Sequence, residues 1–157
     1  MKLYLVRHGE AAAAQENPKR PLNQQGRDEV TRAAQFLRRA GIQVNEIFHS
    51  DKKRAQETAQ IIKNFITPTA KLIQHDSLGP GDSIEPILNE LNKRQEDLML
   101  VGHLPFLPRL ISQLILGEED KPVIGLKTSA VAAMCRDAHQ QWQIVWVVSP
   151  VLLLNYE

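Results

Sequence analysis

Leu3-Tyr4-Leu5-Val6-Arg7-His8-Gly9-Glu10 is a short apolar run that ends abruptly in a basic pair, a glycine and an acid. An unbroken apolar run of this kind predicts a strand covered on both faces, as in a parallel sheet flanked by helices. In such sheets ligands bind outside the carboxyl ends of the strands. The stretch therefore predicts both a fold class and the edge of the fold at which Arg7 and His8 are presented.

The pattern repeats outward from this strand. Asn23 is a helix-capping residue, and Val30, Ala33, Ala34 and Leu37 follow at the spacing of one helical face until Gly41 supplies the stop. Glu46 to His49 reads as a second strand, and Ala55, Thr58, Ala59, Ile62 and Phe65 restore the helical period until Pro68. A third strand is expected over 71–75. The turn-rich Gly79-Pro80-Gly81-Asp82 then precedes a helix bearing Ile84, Ile87, Leu88 and Leu91. Asp97 to Val101 reads as a fourth strand, and after Gly102-His103-Leu104-Pro105 a helix carries Leu107, Leu110, Ile111 and Leu114. Ala130 to Cys135 and Trp142 to Val148 form a hairpin around 137–141, with Trp142, Ile144, Trp146 and Val148 expected on one face. The stretch from Ile144 to Leu154 reads as buried sheet and tail. The order βαβαβαβαββ implies an α/β fold: a three-layer α/β/α sandwich, mostly parallel, with an antiparallel hairpin at one edge.

Composition narrows the function classes. At 157 residues, one domain spanning 1–157 is expected, without repeat or linker. A net charge of +1 gives no global field to attract nucleic acid or an anionic membrane, so any basic site must be local. The apolar run at the N-terminus is too short for a signal peptide, and Ile144 to Leu154 falls short of the roughly 20 residues of a membrane helix. The single cysteine, Cys135, allows neither an intramolecular disulfide nor a zinc cluster, and points to a reducing, cytoplasmic setting. The expectation is a monomer with no nucleic-acid or membrane partner.

Three strand ends carry chemistry. The first delivers Arg7 and His8, the second leads through Ser50 into a helix bearing Arg54, and the fourth ends at Gly102-His103. Two guanidiniums offer paired donors to phosphate oxygens, and a neutral imidazole is a competent nucleophile toward phosphorus. Together they describe a phosphoryl-transfer site without a metal. By contrast, His49, His75 and His139 have no partner pattern and read as structural or exposed. Cys135 reads as an inert thiol, Lys52 and Lys53 as solvated charges, and Glu10 as serving a helix or loop. The two tryptophans lack the interleaved basic residues of a base-stacking surface.

Leu5-Val6-Arg7-His8-Gly9-Glu10 resembles the Arg-His-Gly signature of the histidine phosphatase superfamily. Ser50 through Thr58, containing Arg54-Ala55-Gln56-Glu57-Thr58, resembles its second arginine motif, and Gly102-His103-Leu104-Pro105 its second histidine motif. The entry to the first helix, Arg20-Pro21-Leu22-Asn23, resembles that of the small SixA-type phosphohistidine phosphatases. The resemblance implies a phosphoglycerate mutase-like fold and a cofactor-independent enzyme. His8 would be the nucleophile that forms a phosphohistidine, His103 would lie beside the phosphoryl group, and Arg7 and Arg54 would neutralise its oxygens. Arg20 and Gly9 would contact substrate. The implied partner is a phosphorylated protein, either a histidine phosphotransfer domain or a phosphocarrier, in signal transduction.

Two departures bear on substrate. Superfamily members that act on alkyl phosphates place an acid just after a leucine following the third strand, but here Leu78 is followed by Gly79-Pro80. An alkoxide needs a proton as it leaves, whereas the imidazole of a phosphohistidine leaves neutral once its ring is protonated. The missing acid thus favours phosphohistidine, with Asp82 and Glu85 near enough in sequence to substitute. The short stretch from Leu78 to His103 has room for one helix and one strand and no lid, so an open site is expected. Asp51, where SixA-type proteins usually have proline, alters a turn. The rival readings are a phosphatase of small phosphate monoesters, less readily a mutase, and a non-catalytic phosphohistidine-binding module.

Overall fold

The computed structural model describes residues 1–154. Six strands form one sheet: β1 (Lys2–Arg7), β2 (Glu46–His49), β3 (Lys71–Gln74), β4 (Leu98–Gly102), β5 (Val131–Arg136) and β6 (Trp142–Val148). Their spatial order is β3-β2-β4-β1-β5-β6. β3, β2, β4 and β1 run parallel, β5 is antiparallel to β1, and β6 is antiparallel to β5. The expected mostly parallel sheet with an antiparallel edge hairpin is therefore the architecture found.

Helices cover both faces: α1 (Gln24–Arg39) and α2 (Lys53–Ile66) on one side, α3 (Glu85–Lys93) and α4 (Phe106–Leu116) on the other. Alternation along β1 feeds both cores. Tyr4 and Val6 pack with Val30, Leu37 and Ile62 of the first helix pair, while Leu3 and Leu5 pack with Ile87, Leu91 and Leu110 of the second. The period of two in the strands and the wide apolar stripes of the helices thus meet in two contiguous cores. Asn23 caps α1 as its sequence suggests, its side-chain oxygen accepting the Gly26 amide at 2.8 Å, and Gly41 ends the turn beyond α1 at φ +71°.

Two expectations at the edge fail together. The register between β5 and β6 shifts between Ala133 and Met134, so Ala133 pairs Trp146 while Met134 pairs Ile144, and Val145 is left over. A bulge of one residue reverses the alternation beyond it. Trp142 therefore packs with the α3/α4 core and Trp146 with the α1/α2 core, on opposite faces of the sheet. The 144–154 segment is also largely exposed, with only Pro150 and Leu153 buried. β6 has a neighbour on one side only, and Val145, Val147, Val151, Leu152 and Leu154 are exposed.

Candidate active site

Register brings the site together. Arg7 pairs with Gly102 and His49 with Val101, so His8, His103 and Ser50 leave three adjacent parallel strands at the same level. Since β5 runs the other way, with Val131 opposite Val6, the residues that precede it, Ser129 and Ala130, arrive at this edge too. The His8 and His103 rings lie with centroids 4.9 Å apart.

His8 is held on every side. Its amide donates to the Gly102 carbonyl at 3.0 Å, and its carbonyl accepts the Ser129 amide, which Arg7 shares, at 3.1 Å. The ring Nδ1 lies 2.7 Å from the Gly9 carbonyl. A carbonyl only accepts, so Nδ1 carries the proton and Nε2 keeps its lone pair. Burial is the main reason that the imidazole is pushed down to about 4, reinforced by Arg54, Arg7 and Arg20 and opposed by the Gly9 carbonyl. At neutral pH the ring is an uncharged base among cations.

His103 is tethered the other way round. Its Nε2 lies 2.6 Å from the Ser50 hydroxyl, which also accepts the Lys52 amide at 3.3 Å. A hydroxyl can donate and accept at once, so what this contact fixes is the position of the ring. Nδ1 is buried and without a protein partner. Burial, then His8, Arg54, Lys52 and Arg7, push this imidazole down to about 3. It is thus a neutral ring with one nitrogen unpartnered.

The guanidiniums complete the cluster. Arg7 Nη1 donates to the Leu126 carbonyl at 2.8 Å, while the Nε atoms of Arg7 and Arg54 are buried without partners. Burial holds both groups below their ordinary value without threatening their charge. Arg54 stands in the first turn of α2, tied to His8 by a relay. The Gly9 amide donates to Thr58 Oγ1 at 3.0 Å, and the Thr58 hydroxyl donates to the Arg54 carbonyl at 2.7 Å. Both polar groups of Gly9, the residue expected to touch substrate, are thereby committed within the protein. Arg20, at φ +46°, is anchored through Nε to the Ala12 carbonyl at 3.1 Å, and its charge is felt at His8 and Arg54.

The structure also decides the residues left open by sequence. Glu10 serves α1: its carboxylate accepts from Asn23 Nδ2 at 3.1 Å and its carbonyl from the Asn23 amide. Asp82 caps the Gly79 amide at 2.7 Å, and Glu85 lies exposed at the start of α3. Between Leu78 and His103 there are only α3 and β4, with no lid. His49 is buried with Nδ1 against the Ser50 carbonyl, and His75 stacks on Phe48. Among the described residues no three His, Cys, Asp or Glu gather as a metal site.

Three contributors carry no role in the sequence reading: Ser50, Thr58 and Ser129. Ser50 and Thr58 stand inside the quoted motif segment, where only Arg54 has an obvious task. Ser129, buried at φ +63° with an unpartnered hydroxyl, has no sequence signal at all, since non-glycine residues rarely adopt that conformation.

The same constellation connects the chain to known proteins. A model described as histidine phosphatase superfamily (branch 1) matches residues 3–79, which include Arg7, His8 and Arg54. The phosphohistidine phosphatase SixA of Escherichia coli (strain K12) is 26% identical over 155 residues, covering 96% of this chain and 94% of that protein. An uncharacterized protein of Picosynechococcus sp. is 29% identical, covering 98% of this chain and 99% of its own. A solved structure of the protein histidine phosphatase SixA complexed with tungstate superposes with a TM-score of 0.86 at 25% identity, over 98% of this chain and 99% of that one. The full-length likeness takes in His103, beyond the segment that the superfamily model matches. With the mutase-like sheet and paired histidines and arginines at its edge, the chain is similar in sequence and fold to the histidine phosphatase superfamily.

Proposed function

We propose that this phosphatase works without a metal, through a phosphohistidine formed on His8, and that its substrate is phosphohistidine on a partner protein. The observation that carries the reading is the His8 ring: Nδ1 is fixed by the Gly9 carbonyl, and Nε2 is an unprotonated nucleophile between two guanidiniums. Nε2 attacks phosphorus and the bond from phosphorus to the departing group breaks. Arg7 and Arg54 balance the charge on the transferring oxygens, with the His103 ring lying beside His8. Water then attacks the phosphohistidine, which releases inorganic phosphate and restores the lone pair on Nε2. Neutrality of both imidazoles matters because a protonated His8 has no lone pair to offer.

Substrate class follows from the leaving group. The carboxylate nearest in sequence to the missing acid, Asp82, is occupied with the Gly79 amide, which leaves an alkoxide without a dedicated proton donor. A phosphohistidine imidazole needs less help. The open edge also suits a side chain presented on a protein surface, and the name of the Escherichia coli relative agrees with that class.

The test offers purified protein a phosphorylated histidine phosphotransfer domain, a phosphorylated carrier protein, aryl phosphates and alkyl phosphates. The expected order of turnover is phosphohistidine, then aryl, then alkyl, since losing general acid catalysis costs a factor of about 10² to 10⁴. Alkyl phosphates as the best substrates, or selective loss of their hydrolysis in Asp82→Asn or Glu85→Gln, would make the protein a small-molecule phosphatase. Dialysis against a chelator is expected to leave activity intact. Lasting loss restored only by a metal would overturn the mechanism.

A further inference from the structure

Beside Arg54 the site opens into a groove of about 480 Å³ between the 18–19 turn and the start of α2. Its charged lining is Lys19, Lys52, Lys53 and Arg54 against one acid, Asp51. In a chain whose net charge is +1, this is a local concentration of positive charge. Lys19, Lys52 and Lys53 are all exposed. Lys52 meets only its neighbour Asp51, at 3.5 Å across an exposed pair, and no carboxylate among the described residues pairs with Lys19 or Lys53.

The position of these cations is unfavourable for the fold. Lys52 is the N-cap of α2 and makes no side-chain cap bond, and Lys53 and Arg54 follow in the first turn, which contains no acid. A helix N-terminus carries partial positive charge and disfavours cations. α1, whose basic residues lie in its last turn and whose cap is Asn23, follows the rule that α2 breaks. Local rules broken without structural gain are expected at functional sites. The loop opposite is strained as well, with Arg20 in the left-handed region.

We infer that this groove is a docking surface for an acidic protein face, whose carboxylates engage Lys19, Lys52 and Lys53 while its phosphorylated side chain reaches His8. Arg54 belongs to both groove and site, which makes the two continuous. One phosphoryl group is already matched by Arg7 and Arg54, so the lysines farther out answer to negative charge elsewhere on the partner. Long exposed lysines act mainly through steering and association rate, and their effect is screened by salt. The phosphorylated side chain in this inference rests on the function proposed above, but the acidic complement of the groove does not.

The experiment separates the two. Matched peptides carry a central histidine flanked either by aspartates or by lysines, and each is prepared with and without the phosphoryl group. Affinity of the unphosphorylated peptides is read by fluorescence anisotropy at low and high salt, and kcat/KM is measured for the phosphorylated pair, with free phosphohistidine reporting on the site itself. The acidic peptide is expected to bind and turn over about tenfold better at low salt, with the preference collapsing at high salt and reversing in the double variant Lys19→Glu/Lys53→Glu. Equal affinities for the two peptides, or a preference that the double variant keeps, would overturn the docking surface. Lysine-dependent binding of inorganic tripolyphosphate without any preference for the acidic peptide would overturn it too, by making the occupant a small polyanion. Acidic preference in binding, with no turnover of any phosphohistidine, would sink the proposed function and leave the docking surface standing.

Discussion

His8 and His103 are chemically alike and differ in what holds the second nitrogen. A backbone carbonyl fixes the His8 proton on Nδ1, whereas a serine hydroxyl, which both donates and accepts, anchors His103 through Nε2. His8 thereby presents a lone pair at Nε2, and His103 is held beside it. His8→Ala is expected to lower turnover by more than about 10³-fold, with a melting midpoint close to that of the unmodified protein. The ring is buried rather than solvent-facing, but its removal also relieves a desolvated base among cations. Appreciable residual turnover would show that another group forms the intermediate. Ser50→Ala is expected to cost about tenfold in kcat, because His103 loses the bond that holds its ring in place. An unchanged kcat would assign Ser50 to packing alone. Arg7 and His8 were legible because their residue types stand at a strand end, and Arg54 because it opens the helix that follows one, whereas the pairing of Ser50 with His103 joins segments 53 residues apart.

At the scale of elements, two helices bear on the site through their first turns. α1 lies so close to the chain after His8 that a Cβ on Gly26 would sit 2.0 Å from the Glu10 carbonyl oxygen. Backbone atoms cannot move aside as a flexible side chain can. Gly26→Ala is therefore expected to destabilise by about 1 to 3 kcal/mol and to reduce activity, as α1 pushes the His8-Gly9-Glu10 turn out of register. A melting midpoint equal to that of the unmodified protein would contradict the close approach. At α2 the expected sign is opposite. Lys53→Glu replaces a cation at a helix N-terminus with an anion and should stabilise by about 0.3 to 1 kcal/mol, read as a rise in the thermal midpoint. A fall would remove the argument that these lysines stand where the fold disfavours them. The helices themselves were readable from their apolar spacing and from Asn23. The tight contact at Gly26 was not, since the sequence shows a glycine inside a helical pattern without showing what approaches it.

At the scale of the whole molecule, burial of the paired imidazoles couples activity and stability to pH. Both have values in the folded chain below the ordinary 6.5, about 4 for His8 and about 3 for His103. The unfolded chain therefore binds more protons than the folded one as the pH drops below 6.5. The stability contributed by these groups is fully present above that value and is lost as the pH falls toward 4 and then 3. Free-enzyme kcat/KM is expected to hold through pH 6 and to fall only on approach to about 4, in a profile measured with an aryl phosphate. An acid limb centred near 6.5 would mean that His8 titrates as an exposed imidazole. The alternation of strands and helices, the delivery of Arg7, His8 and His103 to strand ends and of Arg54 to the start of a helix, and the cap of α1 were determined by sequence alone, because they rest on periods of two and 3.6 and on single-residue preferences. The opposite faces of Trp142 and Trp146, the exposure of β6, the arrival of Ser129 and the tautomer of His8 were decided only by tertiary structure. Each depends on register between distant strands, where a shift of one residue exchanges inside for outside and nothing local records the choice.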